Sequence, residues 1–343
     1  MKKNKIIDCI TFFDNNFMFD IRYNILCNYV DYFVVCESKF DHAGNLKKKN
    51  FIFEKDYDPN KIKYIFLDQP FPKNTNRWQN QAIQRDFILS KLDFVEPDDF
   101  IFFSDPDEII KPEILNNFNL SAKYGIFLHD CFNYKFNIFN SFETPWEGTR
   151  VAKKKNLKSI DFMRQKIKMK NLKYSFLRID KEKNIKIFEK AGWHFNNIMS
   201  PERISLKLKT FAHQEFSGDQ FSSIRVIKEK IEKKIDLFNR GHSYEVVKID
   251  DNFPEFTILS VSSPSKYIFA KATKSQANEE DQLLSDTRSN TVHDLVDYTK
   301  LFEEVRVAVD SQVARIYDAQ AVWQEEPWMR CLRDPAASPE AET

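Results

Sequence analysis

A chain of 343 residues, 42% of them hydrophobic, is long enough to bury one large core or two modest ones. Its 52 lysines and arginines against 51 acids leave a net charge of +1, which removes any global electrostatic case for nucleic acid as the partner. The five cysteines are odd in number and widely spaced, with no CxxC pair for zinc, haem or thiol redox chemistry, and read as the reduced thiols of a cytoplasmic protein.

At the N-terminus, lysines at 2, 3 and 5 precede an apolar stretch that Asp8 and Asp14 interrupt, so no signal-peptide core forms. Nowhere do about 18 residues pass without a charge, as a transmembrane helix requires. The expectation is a cytoplasmic protein with no transmembrane segment, with peripheral contact at the inner membrane face left open. Apolar runs rich in Ile, Val, Phe and Tyr predict strands over 6–13, 32–36, 62–67, 100–103 and 125–132. Helical period marks 19–29 and 79–92, where Ile83, Phe87, Ile88 and Leu92 share one stripe. This alternation predicts an α/β fold with a mostly parallel central sheet flanked by helices.

The stretch 153–190 is rich in lysine, with Lys166, Lys168, Lys170 and Lys173 at near-alternating positions. It reads as a solvated strand face or as a patch meeting an anionic lipid-linked acceptor. Further helices are predicted over 201–210 and over 222–239, where Ile224, Ile227, Ile231, Ile235 and Phe238 recur at helical spacing. Near residue 272 the composition shifts: Lys274 and Lys300 are the only lysines beyond it, and glycine is absent. The organisation expected is a catalytic domain over 1–245, an extension over 246–271, and a compositionally distinct tail over 272–343 with a helical period at 291–321 and a disordered end.

Only six glycines occur, and no spacing among them makes a GxGxxG turn or a P-loop, so phosphates here need another holder. A divalent metal is the obvious one. The run FIFFSDPDE at 100–108 places an apolar strand directly before three carboxylates, where ligands of open α/β sheets bind. Asp105 and Asp107, one residue apart, offer hard oxygen ligands to Mn²⁺ or Mg²⁺. The competing reading makes Asp105 a helix N-cap and Glu108 its capping-box partner; Pro112 would confine such a helix to one turn. A noncatalytic carbohydrate-binding or scaffold protein and a metal-dependent phosphohydrolase are the alternative functions. No GxSxG elbow supports a serine hydrolase.

Six stretches in one order, DCITFF at 8–13, VCES at 35–38, QR at 84–85, FSDPDE at 103–108, GWHF at 192–195 and FAHQEF at 211–216, resemble glycosyltransferase family 17. The resemblance covers about 5–241. It implies a GT-A-like fold and a β-1,4-N-acetylglucosaminyltransferase-like activity with inversion, using UDP-GlcNAc as donor and a glycan or glycolipid as acceptor. Animal members carry a membrane anchor; a bacterial surface polysaccharide or glycolipid suits this chain better than an N-glycan.

Within that frame Asp107 is assigned direct metal contact and Asp105 metal or ribose. Glu37 and Ser38, ending the second strand, suit a nucleotide base or ribose, and the Arg85 fork suits phosphate or an acid of the cluster. His213 is a candidate metal ligand and His194 a candidate acceptor contact, each against the reading of a satisfied core histidine. Glu215 is the expected catalytic base, on a face shared with His213 if that segment is extended, with Asp130 and Glu147 as rivals. Trp146 and Trp193 offer flat surfaces for sugar rings, and Gly148 would let substrate approach the backbone.

Overall fold

A computed structural model of the chain describes residues 3–210, 214–248 and 253. The tail beyond 253 and His213 lie outside the described residues, as does all of 246–271 except 246–248 and 253. In chain order the elements are β1 (Ile6–Phe12), α1 (Asn16–Leu26), β2 (Tyr32–Ser38), β3 (Ile62–Leu67), α2 (Arg77–Leu89), β4 (Phe100–Ser104) and β5 (Glu108–Ile110). There follow β6 (Tyr124–Asn133), β7 (Ile138–Phe139), β8 (Trp146–Lys153), α3 (Ile160–Lys166), β9 (Ile185–Asn196), α4 (Pro201–Thr210), α5 (Asp219–Ser222), α6 (Ile224–Lys233) and β10 (Glu245–Val246).

The strands form one sheet in the order β3-β2-β1-β4-β8-β6, with β9 on the other edge of β6 and β5 beyond it. The expectation of a mostly parallel sheet holds for the first half, and β9 also runs parallel to β6, but the sheet as a whole is mixed. β3, β2, β1 and β4 are mutually parallel, but β8 runs antiparallel to both β4 and β6, and β5 runs antiparallel to β9. The reason is connectivity: α1 and α2 cross over between the early strands, whereas β6 returns to β8 through a short segment without a helix. Among the described residues no helix is long and apolar enough to cross a membrane.

Alternation along the central strands sorts the core into two faces. Ile6, Ile10, Phe33, Val35, Phe100 and Phe102 pack with Met18, Phe19 and Ile21 of α1. Ile7, Cys9, Val34, Cys36, Ile101 and Phe103 pack with Ile88 of α2 and with Ile160 and Met163 of α3. α1 therefore covers one face, and α2 and α3 the other. Each of these three helices also carries one arginine toward the end of β4. A third cluster, including Ile204, Leu208 and Ile227, joins α4 to α6. The predicted helix over 222–239 stops at Lys233, because Lys234 turns into the left-handed region at φ 52°.

Candidate active site

The chain turns sharply from β4 into β5, not into a helix. Glu108 N–H donates to the Asp105 carbonyl at 3.0 Å, and Asp105 N–H donates to the Glu108 carboxylate at 3.1 Å. The helix-cap reading of this turn therefore fails, although the Glu108 carboxylate does close it. Glu108 is fully buried and also accepts from Trp146 Nε1 at 2.7 Å and Arg164 Nη2 at 2.5 Å.

Three guanidinium groups fix this turn from both faces of the sheet. From α1, Arg22 grips Asp8 with two bonds of 2.6 and 2.5 Å and donates to Ser104 Oγ at 2.9 Å and the Glu108 carbonyl at 2.5 Å. From α2, Arg85 donates to Asp105 Oδ1 at 3.3 Å and to Asp161 at 3.0 Å. From α3, Arg164 donates to Asp105 Oδ2 at 2.5 Å as well as to Glu108. Burial alone would raise the Asp105 carboxyl, but Arg164 and Arg85 outweigh it and hold the group well below the usual carboxylate range.

Asp107 is the acid of the turn that these arginines leave free. Its carboxylate lies 3.6 Å from His194 Nε2 and 3.5 Å from Lys207 Nζ, both beyond good hydrogen-bond length. Its carbonyl, by contrast, accepts from Phe195 N–H at 2.8 Å, which pins the backbone to β9. His194 stands opposite Glu108 in the β5–β9 register, and its ring lies 4.6 Å from that of Trp146. Beside this group Lys207 bonds Asn197 at 3.0 Å, whereas Lys168 lies within electrostatic reach of Arg150, Arg164, Glu147 and Asp105. Burial first, then Arg150 and Arg164, push the Lys168 ammonium down to about 8.

Several assignments made from sequence are redirected by this geometry. Both Asp105 oxygens accept from arginine, so this acid positions the turn and is ill placed to ligate a metal or ribose. Arg85 reaches the cluster acid, one of its two expected partners. Glu37 is fully buried and saturated by Lys47, Asn50 N–H at 2.8 Å, Phe51 N–H at 3.1 Å and Tyr64 OH at 2.8 Å. It anchors the loop after β2 and has no capacity left for a nucleotide. Ser38, buried beside it, caps the Phe40 N–H at 3.1 Å. Trp193 packs in the core with its ring stacked toward Phe195, so it offers no surface to a sugar. Trp146 is half-buried at the turn. Glu215 is exposed on a 3-10 turn, Gln214–Phe216, which is not the extended segment expected. Among its rivals, Glu147 is tied to Arg150 at 3.0 Å and Met169 N–H at 3.1 Å, and burial raises the Asp130 carboxyl despite Lys111 and Lys190.

Gly148 serves a buried histidine and not a substrate. A Cβ at Gly148 would run into the ring of His129, and one at Gly192 would strike both that ring and the Ile109 carbonyl. His129 is fully buried, neither ring nitrogen has a partner among the described residues, and burial holds it well below its usual range, hence neutral. We expect Gly192→Ala to cost about 3 kcal/mol in denaturant unfolding, since a backbone carbonyl cannot yield. Gly148→Ala should cost similarly alone, but under about 1 kcal/mol in a His129→Ala background, where the obstructing ring is gone.

Among the described residues no three His, Cys, Asp or Glu side chains gather as a ready metal site. Asp107 with His194 nearby still fits a divalent ion of the kind that takes one or two protein ligands and completes its shell with phosphate and water.

The model of glycosyltransferase family 17 matches residues 1–247. The β-1,4-mannosyl-glycoprotein 4-β-N-acetylglucosaminyltransferase of Rattus norvegicus is 32% identical over 118 residues, 31% of this chain and 21% of that protein. The Homo sapiens enzyme of that name is 34% identical over 105 residues, 27% of this chain and 19% of its own length. The match thus spans about a fifth of these relatives. Among solved structures, HddC from Yersinia pseudotuberculosis complexed with GMP-PN overlaps 55% of this chain and 91% of its own, at 11% identity and a TM-score of 0.30. A putative glucose-1-phosphate thymidylyltransferase from Bacillus anthracis overlaps 56% and 88% at 12% identity and a TM-score of 0.27.

Proposed function

The chain belongs to glycosyltransferase family 17, and on that premise we propose that it transfers N-acetylglucosamine from UDP-GlcNAc, with inversion, to a glycan or glycolipid acceptor. The observation that carries this reading is the division of labour in the acidic turn: arginines hold Asp105 and Glu108, while Asp107 stays available at the strand end. Asp107, with His194 beside it, is the group to hold Mn²⁺ or Mg²⁺; the metal would supply positive charge to the departing diphosphate.

The chain's own groups do the rest. Lys207 and Lys168 supply ammonium groups for the phosphates, and Trp146, locked through its Nε1 to Glu108, presents its ring to the acceptor sugar. Glu215 takes the proton from the attacking acceptor hydroxyl as the new C–O bond forms, while the anomeric carbon–oxygen bond breaks and its electrons leave with UDP.

Incubation of the full chain with UDP-GlcNAc, Mn²⁺ and a panel of glycan and glycolipid acceptors should release UDP in an acceptor-dependent way. Lys168 is charged below about pH 8 and neutral above it, so donor affinity should fall as pH rises through that value, by about tenfold. The Lys168→Met variant should lose most of this slope. Phosphate release from simple esters with no UDP release from UDP-GlcNAc would overturn the assignment in favour of a phosphohydrolase.

A further inference from the structure

The segment leaving α3 carries a surface that the transfer reaction does not use. Phe176, Leu177 and Ile179 are 83%, 73% and 94% exposed, and Leu172 and Tyr174 beside them are exposed as well. Five large apolar side chains within eight residues are costly to leave in water unless something covers them. The segment is also basic: leaving aside Lys168, 166–183 contains six lysines and arginines against two acids.

Both acids are neutralised locally. Asp180 takes Arg178 at 2.7 Å and Lys181 at 3.2 Å, and Glu182 takes Lys123 at 3.1 Å. Arg178 and Lys181 also lie over the Tyr174 ring, at 5.4 and 5.8 Å from its centroid, which braces the loop. Lys166, Lys170 and Lys173 are exposed and form no ion pair with the described residues. Exposed apolar side chains interleaved with unpaired lysines are the combination that an anionic bilayer surface accepts, the apolar groups entering the acyl boundary while the ammonium groups meet the headgroups.

We infer that this loop seats the protein on an anionic membrane, with Phe176, Leu177 and Ile179 inserted and Lys166, Lys170 and Lys173 at the headgroups. The inference rests on this surface alone and stands whether or not the transfer reading holds. The test is co-sedimentation of the full chain with vesicles of phosphatidylcholine, alone or with about a third phosphatidylglycerol. Binding should be confined to the anionic vesicles and weaken as salt rises. The triple variant Phe176→Ser, Leu177→Ser, Ile179→Ser should bind at least about tenfold more weakly. Changing Lys166, Lys170 and Lys173 to glutamine should weaken binding by roughly fivefold per lysine, and this variant carries the test should the serine variant misfold. Equal binding to neutral vesicles, or unchanged binding by a folded variant, would overturn the inference. So would light scattering showing a dimer that the serine variant dissolves, since the occupant would then be a second copy.

Discussion

Arg164→Ala should unfold about 3–5 kcal/mol more easily than the native chain, the usual consequence of stripping one partner from a buried charge cluster. Arg164 Nη2 serves Asp105 and Glu108 at once, while its other arm reaches the Gly148 carbonyl at 2.5 Å. Without it Glu108, fully buried, keeps only Trp146 and the Asp105 N–H as donors. Lysine should rescue little, since one ammonium cannot span two carboxylates and a carbonyl as the fork does. The double change Arg164→Met, Glu108→Gln should recover part of the loss, because it removes the uncompensated charge with its partner. The pH dependence follows from the sign of the Asp105 shift. A carboxyl held below its unfolded value contributes stability above about pH 4, and this contribution is lost as pH falls through the lowered folded value. In Arg164→Ala that acid-side slope should flatten in urea titrations.

Asp107→Ala should behave in the opposite way. Its carboxylate has only long contacts with His194 and Lys207, so its removal should change unfolding free energy by less than about 1 kcal/mol. Transfer should nonetheless fall by about a hundredfold or more, the scale of losing a preorganised charge partner for a leaving group. Asp105→Ala gives the contrast: its deficit should appear in stability as well as in rate, because Arg85 and Arg164 lose their partner. The separation of a stability-neutral acid from two structural ones, measured by parallel melting and UDP-release assays, is what distinguishes a donor site from a mere turn.

The first half of the fold was legible because its strands are apolar on both faces. β1, β2, β3 and β4 lie where runs rich in Ile, Val, Phe and Tyr place them, with α1 between β1 and β2 and α2 between β3 and β4. β8 and β9 escaped notice for a physical reason. Their inward positions include Thr149, Arg150 and His194, which are buried here but read as surface residues in a sequence. Arg150 is tolerated because its fork finds the carbonyls of Ile167 and Glu147, and even so burial, then Arg164, hold it down to about 9. Gly148 and Gly192 were the available signal for these strands, since glycine inside a strand marks a close approach. What approaches is His129, which the sequence offered no means of choosing.

The site was legible in its address but not in its wiring. The position after an apolar strand and the early Pro112 pointed to the turn at 105–108, and Arg85 was legible as a partner for its acids, yet nothing in the spacing of Arg22 and Arg164 shows that they converge there too. Those arginines come from three helices and meet only because α1 covers one face of the sheet and α2 and α3 the other. The consequence is a difference within the pair of aspartates: Arg85 and Arg164 hold both oxygens of Asp105, while the Asp107 carboxylate keeps only long contacts with His194 and Lys207 among the described residues.

Calorimetric titration of UDP into the full chain, with and without Mn²⁺, compared between the native protein and Asp107→Ala, tests this most directly. Saturable, metal-dependent binding by the native chain that disappears in a variant with an unchanged melting temperature is the predicted result. Equal binding by Asp107→Ala, or binding indifferent to the metal, would contradict it.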